Sequence, residues 1–239
     1  MAYGAGAAKI AAYLKVSPEQ VEEWIKADEA RYPEIPLWQN HVAAQIGQSA
    51  IPLDRWGTHP TVGVRFQVHR GFYTDFLHKT YCFDESASPD FLAKPRRKDQ
   101  APVYASFSPT EAKNYPVQGL GGEVMKAALW LALRGFYAVK NFQGKAILVN
   151  TVHDASYVDA APSVAANAAA LLHGAMEEAC ALIEQEFSIT LPLPVPADTH
   201  WGHSMFIEKS IPGLDEKALA ARLWLRRNFL NNFKPSWEN

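Results

Sequence analysis

Cysteine is scarce. Only Cys82 and Cys180 occur in 239 residues. They lie far apart and lack metal-ligand spacing, which argues against a disulfide framework or a cysteine zinc site and reads as free thiols in a reducing compartment. An excess of one charge is also missing. Lys and Arg number 23 against 25 Asp and Glu, a formal net charge of −2. A chain so balanced has no global basic field, so any contact with phosphate must come from a local patch. No apolar run is long enough to cross a membrane, and no secretory leader or internal repeat is recognisable. The expectation is a soluble, cytoplasmic protein without membrane contact.

Hydrophobic residues are plentiful at 48%, enough for a sizeable core. Residues 5–15 are alanine-rich and predict a helix. Ser17-Pro18-Glu19-Gln20 carries a capping Ser, a Pro suited to the first helical position and a Gln that completes a capping box. Val21, Trp24, Ile25 and Tyr32 follow at helical spacing and read as core. Pro33 and Pro36 end or bend that helix, and a further helix is expected over residues 37–49. Residues 51–110 are broken by Pro52, Pro60, Pro89, Pro95 and Pro102, with short strands suggested at Val62–Phe66 and Thr80–Phe83. Lys94, Arg96, Arg97 and Lys98 form a basic run in a Pro-flanked loop. Such a run is either a solvated face or a phosphate contact that positions nucleic acid without reading sequence.

A helix apolar nearly all round is expected over residues 117–141. Another runs from Pro162-Ser163 to about Phe187, with Met176 as core filler. Residues 191–196 alternate Leu or Val with Pro and read as an extended edge strand. A last helix spans residues 214–233, with Leu219, Leu223 and Leu230 on one side and Arg222, Arg226 and Arg227 nearby. His200 and His203 lack a nearby third ligand, so a zinc site there has little support.

The most informative stretch is Gly144 to Asp159, GKAILVNTVHDASYVD. Apolar, β-branched runs at Ala146–Val149 and Ser156–Val158 flank Val152-His153-Asp154. The pattern is strand, turn, strand. A carboxylate at such a tip is held rigidly by the ladder on both sides, which suits Mg²⁺, a cation that takes few protein oxygens. The plain alternative is a surface Asp in a turn. Upstream stands Asn114-Tyr115-Pro116-Val117-Gln118-Gly119. Asn114 and Gln118 are four apart and would share one helix face.

The sequence NYPVQG followed by VHD, with a long apolar helix between, resembles the family A DNA polymerases, the group of bacterial DNA polymerase I and phage replicases. Tyr3-Gly4 is similar to the end of that family's nucleotide-binding fingers helix, and Trp201 matches a Trp that follows a late palm strand. The resemblance covers roughly residues 1 to 205. It implies an α+β fold, a partial polymerase palm with an antiparallel sheet, a catalytic hairpin and packed helices, joined to the helical end of the fingers. Its implied divisions are 1–50 for the remainder of the fingers, 51–110 for the fingers-to-palm connection, 111–209 for the palm and 210–239 for a C-terminal helical extension.

The resemblance further implies template-directed nucleotidyl transfer. Two metal ions about 3.5–4 Å apart clamp the attacking and leaving oxygens in such chemistry. Asp154 would be the Mg²⁺ ligand, with His153 supporting the hairpin or the primer end. Asn114 and Gln118 would face the minor groove of the newest base pair, where amides bond acceptors without telling the pairs apart. Tyr3 would stack near the insertion site, and Lys94, Arg96, Arg97 and Lys98 would meet DNA phosphates. The implied partners are a DNA primer-template, dNTP and a second polymerase chain, in a bacterial or phage-infected cell.

The sequence also departs from the family. The family's first catalytic Asp motif and the fingers Arg and Lys that hold the triphosphate precede the residues matched here, and this chain starts at Met1 without them. The expectation is a split-gene product or an excised fragment that works with a separate N-terminal polymerase chain. Ala155 replaces the Glu that commonly follows the hairpin Asp. Thr110 stands where bacterial members carry an Arg. A rival reading is a catalytically incomplete palm-fold subunit that binds DNA or another protein. An autonomous metal-dependent hydrolase built on Asp154, His200 and His203 is a third.

Overall fold

The computed structural model describes residues 6–95, 97, 99–192, 194–204, 207–211 and 213–235. Helices and small antiparallel sheets are mixed along the chain, which divides into two compact units, Met1–Gln118 and Gly119–Asn239.

The first unit opens with helices α1 (Ala7–Leu14), α2 (Pro18–Arg31) and α3 (Glu34–Gln48). The α2 start follows from its cap: Ser17 Oγ accepts the Gln20 N–H at 3.2 Å, and Pro18 occupies the first turn. Helix α3 begins at Glu34, earlier than the expected residue 37. Pro36 does not delay it, because the first turn's N–H groups have no helical partner to lose. Strands β1 (Ile51–Thr58), β2 (Arg65–Thr74) and β3 (Thr80–Asp84) form one antiparallel sheet in that order. The expected strand Val62–Phe66 is displaced: residues 60–62 turn, Gly63 adopts φ 68, and β2 starts at Arg65. β1, unforeseen because of Pro52, tolerates the proline on an edge strand beside a bulge.

Tyr73, Tyr81 and Phe83 form this unit's core with Val42 and Ile46 of α3. Gly71 admits the helix: a Cβ there would stand 2.3 Å from the Ile46 carbonyl oxygen. Ser49 Oγ then accepts the Phe72 N–H at 2.8 Å, tying the end of α3 to β2. Strands β4 (Ser86–Ala87) and β5 (Ala105–Ser106) pair across a loop that holds the short helix α4 (Asp90–Ala93).

Helix α5 (Pro109–Ala138) starts eight residues before the expected residue 117 and runs through Pro116. Its N-cap is Ser108, whose Oγ accepts the Glu111 N–H at 3.3 Å, with Pro109 next in the chain. After α5, Lys140, Asn141, Phe142 and Gln143 all take left-handed φ of 50–61°, followed by Gly144 at 76°. Such a run costs roughly 1–2 kcal/mol per non-glycine residue. The Phe142 ring is seated edge-on against the buried Phe136, 5.7 Å between centroids, which contributes packing in return.

In the second unit the hairpin β6 (Ala146–Val152) and β7 (Ala155–Ala160) follows. The single helix expected to Phe187 is two, α6 (Ala165–Glu177) and α7 (Ala179–Phe187), broken at Glu178. Residues 191–196 are not a strand where described; the strands are β8 (His200–Ser204) and β9 (Ile207–Ser210). Helix α8 (Leu214–Leu225) widens into a π-type turn at Arg226–Leu230. It lies against α6, where a Cβ at Gly174 would come within 3.2 Å of the Arg222 backbone nitrogen. Leu131, Phe136, Leu171, Ile183, Leu225 and Leu230 are among the buried apolar residues of this unit.

Candidate active-site hairpin and helix face

The β6–β7 ladder fixes the tip. Val152 pairs with Ala155, leaving His153 and Asp154 as a two-residue turn. His153 takes φ 54, the left-handed value that tight hairpin turns demand of their first central residue. Gly, Asn and Asp usually fill that position, so a His there is a strained choice. Both turn residues are exposed. No hydrogen bond or ion pair joins either side chain to another described residue, and the Asp154 carboxylate is exposed to solvent. A bulge between Leu148 and Asn150 bends β6 below the tip.

Ile147, Val149 and Val152 are exposed along the same hairpin. Among the described residues this sheet has two strands. Isolated hairpins of this kind are marginal in water, and both outer edges keep unpaired backbone groups among the described residues.

Asn114 and Gln118 lie one turn apart inside α5, rather than at its start. Asn114 is half-buried and Gln118 exposed. Neither amide is bonded to a described side chain. Beside Asn114, Tyr115 stacks on Phe83 at 5.7 Å between centroids. Asn114 and Gln118 belong to the first compact unit, and His153 and Asp154 to the second.

Of the basic run, Lys94 ends α4 and is exposed, and Arg97 is exposed in the following bend. Arg96, Lys98 and Tyr3 lie outside the described residues. His200 and His203 are both exposed on β8. Among the described residues, no group of three or more His, Cys, Asp or Glu side chains is placed to hold a metal. Asp154 therefore offers one oxygen ligand, a fit for part of a Mg²⁺ site and not for a whole one.

Sequence reading missed the most buried charge cluster. Glu178, 1% exposed, sits at the α6–α7 break. It accepts from Arg222 Nε at 2.7 Å and Arg226 Nε at 2.5 Å. Arg222 also reaches Glu177 at 3.0 Å, and His173 bonds Thr199 at 3.0 Å. The hydrogen bond that Arg222 donates to Glu178, with burial opposing it, raises the Arg222 pKa. The signal was the spacing of Arg222 and Arg226, one turn apart on one face, which calls for an acidic partner. A second charge group decorates the first unit's sheet. Asp84 accepts from Arg70 Nε at 2.6 Å and Arg55 at 2.7 Å. The Arg70 hydrogen bond foremost, with Arg55 adding, lowers the Asp84 pKa from 3.8 to about 2.

No helix of the described residues is long and apolar enough to cross a membrane. No family model matches the chain, and neither the curated proteins nor the solved structures contain a match to it.

Proposed function

We propose that this chain is the C-terminal, fingers-to-palm part of a family A DNA polymerase and acts with a separate N-terminal chain in template-directed DNA synthesis. One observation carries the reading. The Asp of the VHD motif stands exposed at a two-residue hairpin tip with its oxygens unengaged by any described residue, downstream of a helix that presents the Asn and Gln of NYPVQG one turn apart. The β6–β7 hairpin is read as the catalytic hairpin of a palm, and its open edges as the place where the partner's strand pairs.

Asp154 would hold Mg²⁺ together with a carboxylate from the partner chain. Bound there, the metal would supply charge neutralisation at the reacting phosphate oxygens. The chain's own residues bind and orient. Asn114 and Gln118 donate to minor-groove acceptors of the primer-terminal pair, independent of sequence. Lys94 and Arg97, with Arg96 and Lys98, meet template or primer phosphates. His153 braces the primer end, and Tyr3 stacks beside the incoming dNTP. The setting is the cytoplasm of a bacterial or phage-infected cell.

The test mixes the full chain with a chain bearing the polymerase Asp motif and the fingers Arg and Lys. The expected result is a one-to-one complex that extends a primer with Mg²⁺, while neither chain does so alone. Asp154→Ala should abolish extension and spare primer-template binding, because the loss falls on turnover. Normal extension by that variant would sink the assignment. A complex that binds DNA but never extends would instead favour the non-catalytic subunit, the reading to which Ala155 beside the tip points.

A further inference from the structure

We propose that α5 contains a built-in hinge, residues 116–122, at which the helix opens locally while the turns on either side stay folded. Four of these seven residues are helix breakers: Pro116, Gly119, Gly121 and Gly122. Pro116 has no N–H, so the Ala112 carbonyl loses its partner within the helix. Gly and Pro are the least favourable residues in a helix interior.

Glycine in a helix usually has a structural reason, and the two ordinary ones fail at Gly121 and Gly122. A close approach would need a neighbour, yet a Cβ at Gly121 or Gly122 meets nothing within 4 Å. A left-handed backbone would need positive φ, which among the described glycines only Gly63, Gly144 and Gly213 adopt. What glycine supplies at 121 and 122 is low local helix stability.

The packing on either side sharpens the contrast. Upstream, Ala112 is buried in the core that holds Ile46 and Phe83. Downstream, Ala127, Ala128, Leu131, Ala132 and Phe136 are buried, and Gly135 admits Leu171 and Leu225. Val117, Gln118, Gly121 and Gly122 between them are exposed. The division between the compact units falls at Gln118 and Gly119, inside the same segment. Among residues 116–122 only Pro116 is buried, so the middle of α5 is held less firmly than its two ends. The hinge carries Gln118 with it, so a residue proposed to touch the primer end would be ordered by what it binds. The opening itself does not depend on the polymerase reading.

Amide hydrogen exchange on the full chain tests the hinge without any activity assay. Amides of residues 117–122 should open and exchange well before those of 127–136 and before the α3 amides of 42–46. Ala fits the open space at both glycines, so Gly121→Ala with Gly122→Ala should slow exchange in the segment by roughly twentyfold, and Gly122→Ala alone by roughly fivefold, leaving the other two sets unchanged. Segment amides that open only together with 127–136 would overturn the proposal. So would segment rates unmoved by the double substitution, or a slowing shared equally by all amides.

Discussion

Removing the Glu178 carboxylate should loosen the C-terminal helix more than any change at an exposed charge. The side chain is 1% exposed, while Arg222 and Arg226 keep 34% and 51% of their side-chain surface. Deleting one member of a fully buried pair costs about 3–5 kcal/mol, because the survivor is left charged and dry. Here the survivors are the arginines, which already reach water and can regain hydration, and Arg222 retains Glu177 at 3.0 Å. The expected loss for Glu178→Ala is therefore lower, about 2–3 kcal/mol. That corresponds to a fall in melting temperature of about 5–10 °C for a chain of this size. Glu178→Gln keeps an acceptor for one arginine and should lose roughly half as much. Urea titration followed by tryptophan fluorescence is a suitable assay, since Trp130 and Trp224 both pack edge-to-face with Phe229 just beyond α8. Replacing the whole trio by apolar side chains, Glu178→Met with Arg222→Met and Arg226→Leu, should recover most of the loss. A midpoint unchanged in Glu178→Ala would show that the arginines gain nothing from this carboxylate, and the clamp would have to be abandoned.

Three further outcomes follow from the geometry. Asp84 has a folded pKa of about 2 against an ordinary 3.8, so its stabilisation is complete above about pH 4 and is lost as pH falls towards 2. At this partly exposed site it should amount to about 1 kcal/mol, and Asp84→Asn should flatten that part of an acid stability profile; an unchanged profile would refute the Arg70 pairing. His153→Gly relieves a left-handed φ of 54° and should raise stability by about 1 kcal/mol in a thermal melt. Extension lost in that stabler variant would assign work to the imidazole, whereas a drop in stability would refute the strain. On the proposed polymerase reading, Gln118→Ala in the mixed two-chain complex should slow primer extension roughly tenfold, most after a mismatch; equal rates on matched and mismatched ends would leave Gln118 as a helix-surface residue.

Local rules were legible where one residue's chemistry decides. Ser17-Pro18 gave the start of α2 to the residue, and the β-branched runs around residue 153 gave the β6–β7 hairpin. The same signature, Ser108-Pro109-Thr110-Glu111, starts α5 eight residues before the expected residue 117, although a helix begun there must run through Pro116. Tertiary packing decided the matter: Pro116 is buried inside the helix beside the Tyr115–Phe83 stack. The break at Glu178 was hidden because apolar periodicity runs straight through it, and only the two arginines of α8, some 44 and 48 positions later, hold that turn's carboxylate. The left-handed run at 140–143 has no sequence signal beyond Asn141 and Gly144, since nothing local favours it. At the site, the adjacency of His153 and Asp154 at a tip and the shared face of Asn114 and Gln118 were readable from spacing alone.

Every sheet among the described residues joins strands that are consecutive in the chain: β1-β2-β3, β4-β5, β6-β7 and β8-β9. None waits for a strand from the far end. Except across the longer connection between β4 and β5, pairing therefore closes short loops, and the entropy spent before the first ladder bonds form is small. Folding rates across small proteins rise with such locality. Each hairpin can form as soon as its own segment has left the ribosome, on the roughly 1–10 μs timescale of hairpins. What comes late is the Glu178 clamp, which must wait for Arg222 and Arg226. The order of assembly is thus written into the topology: hairpins first, the α8 closure last.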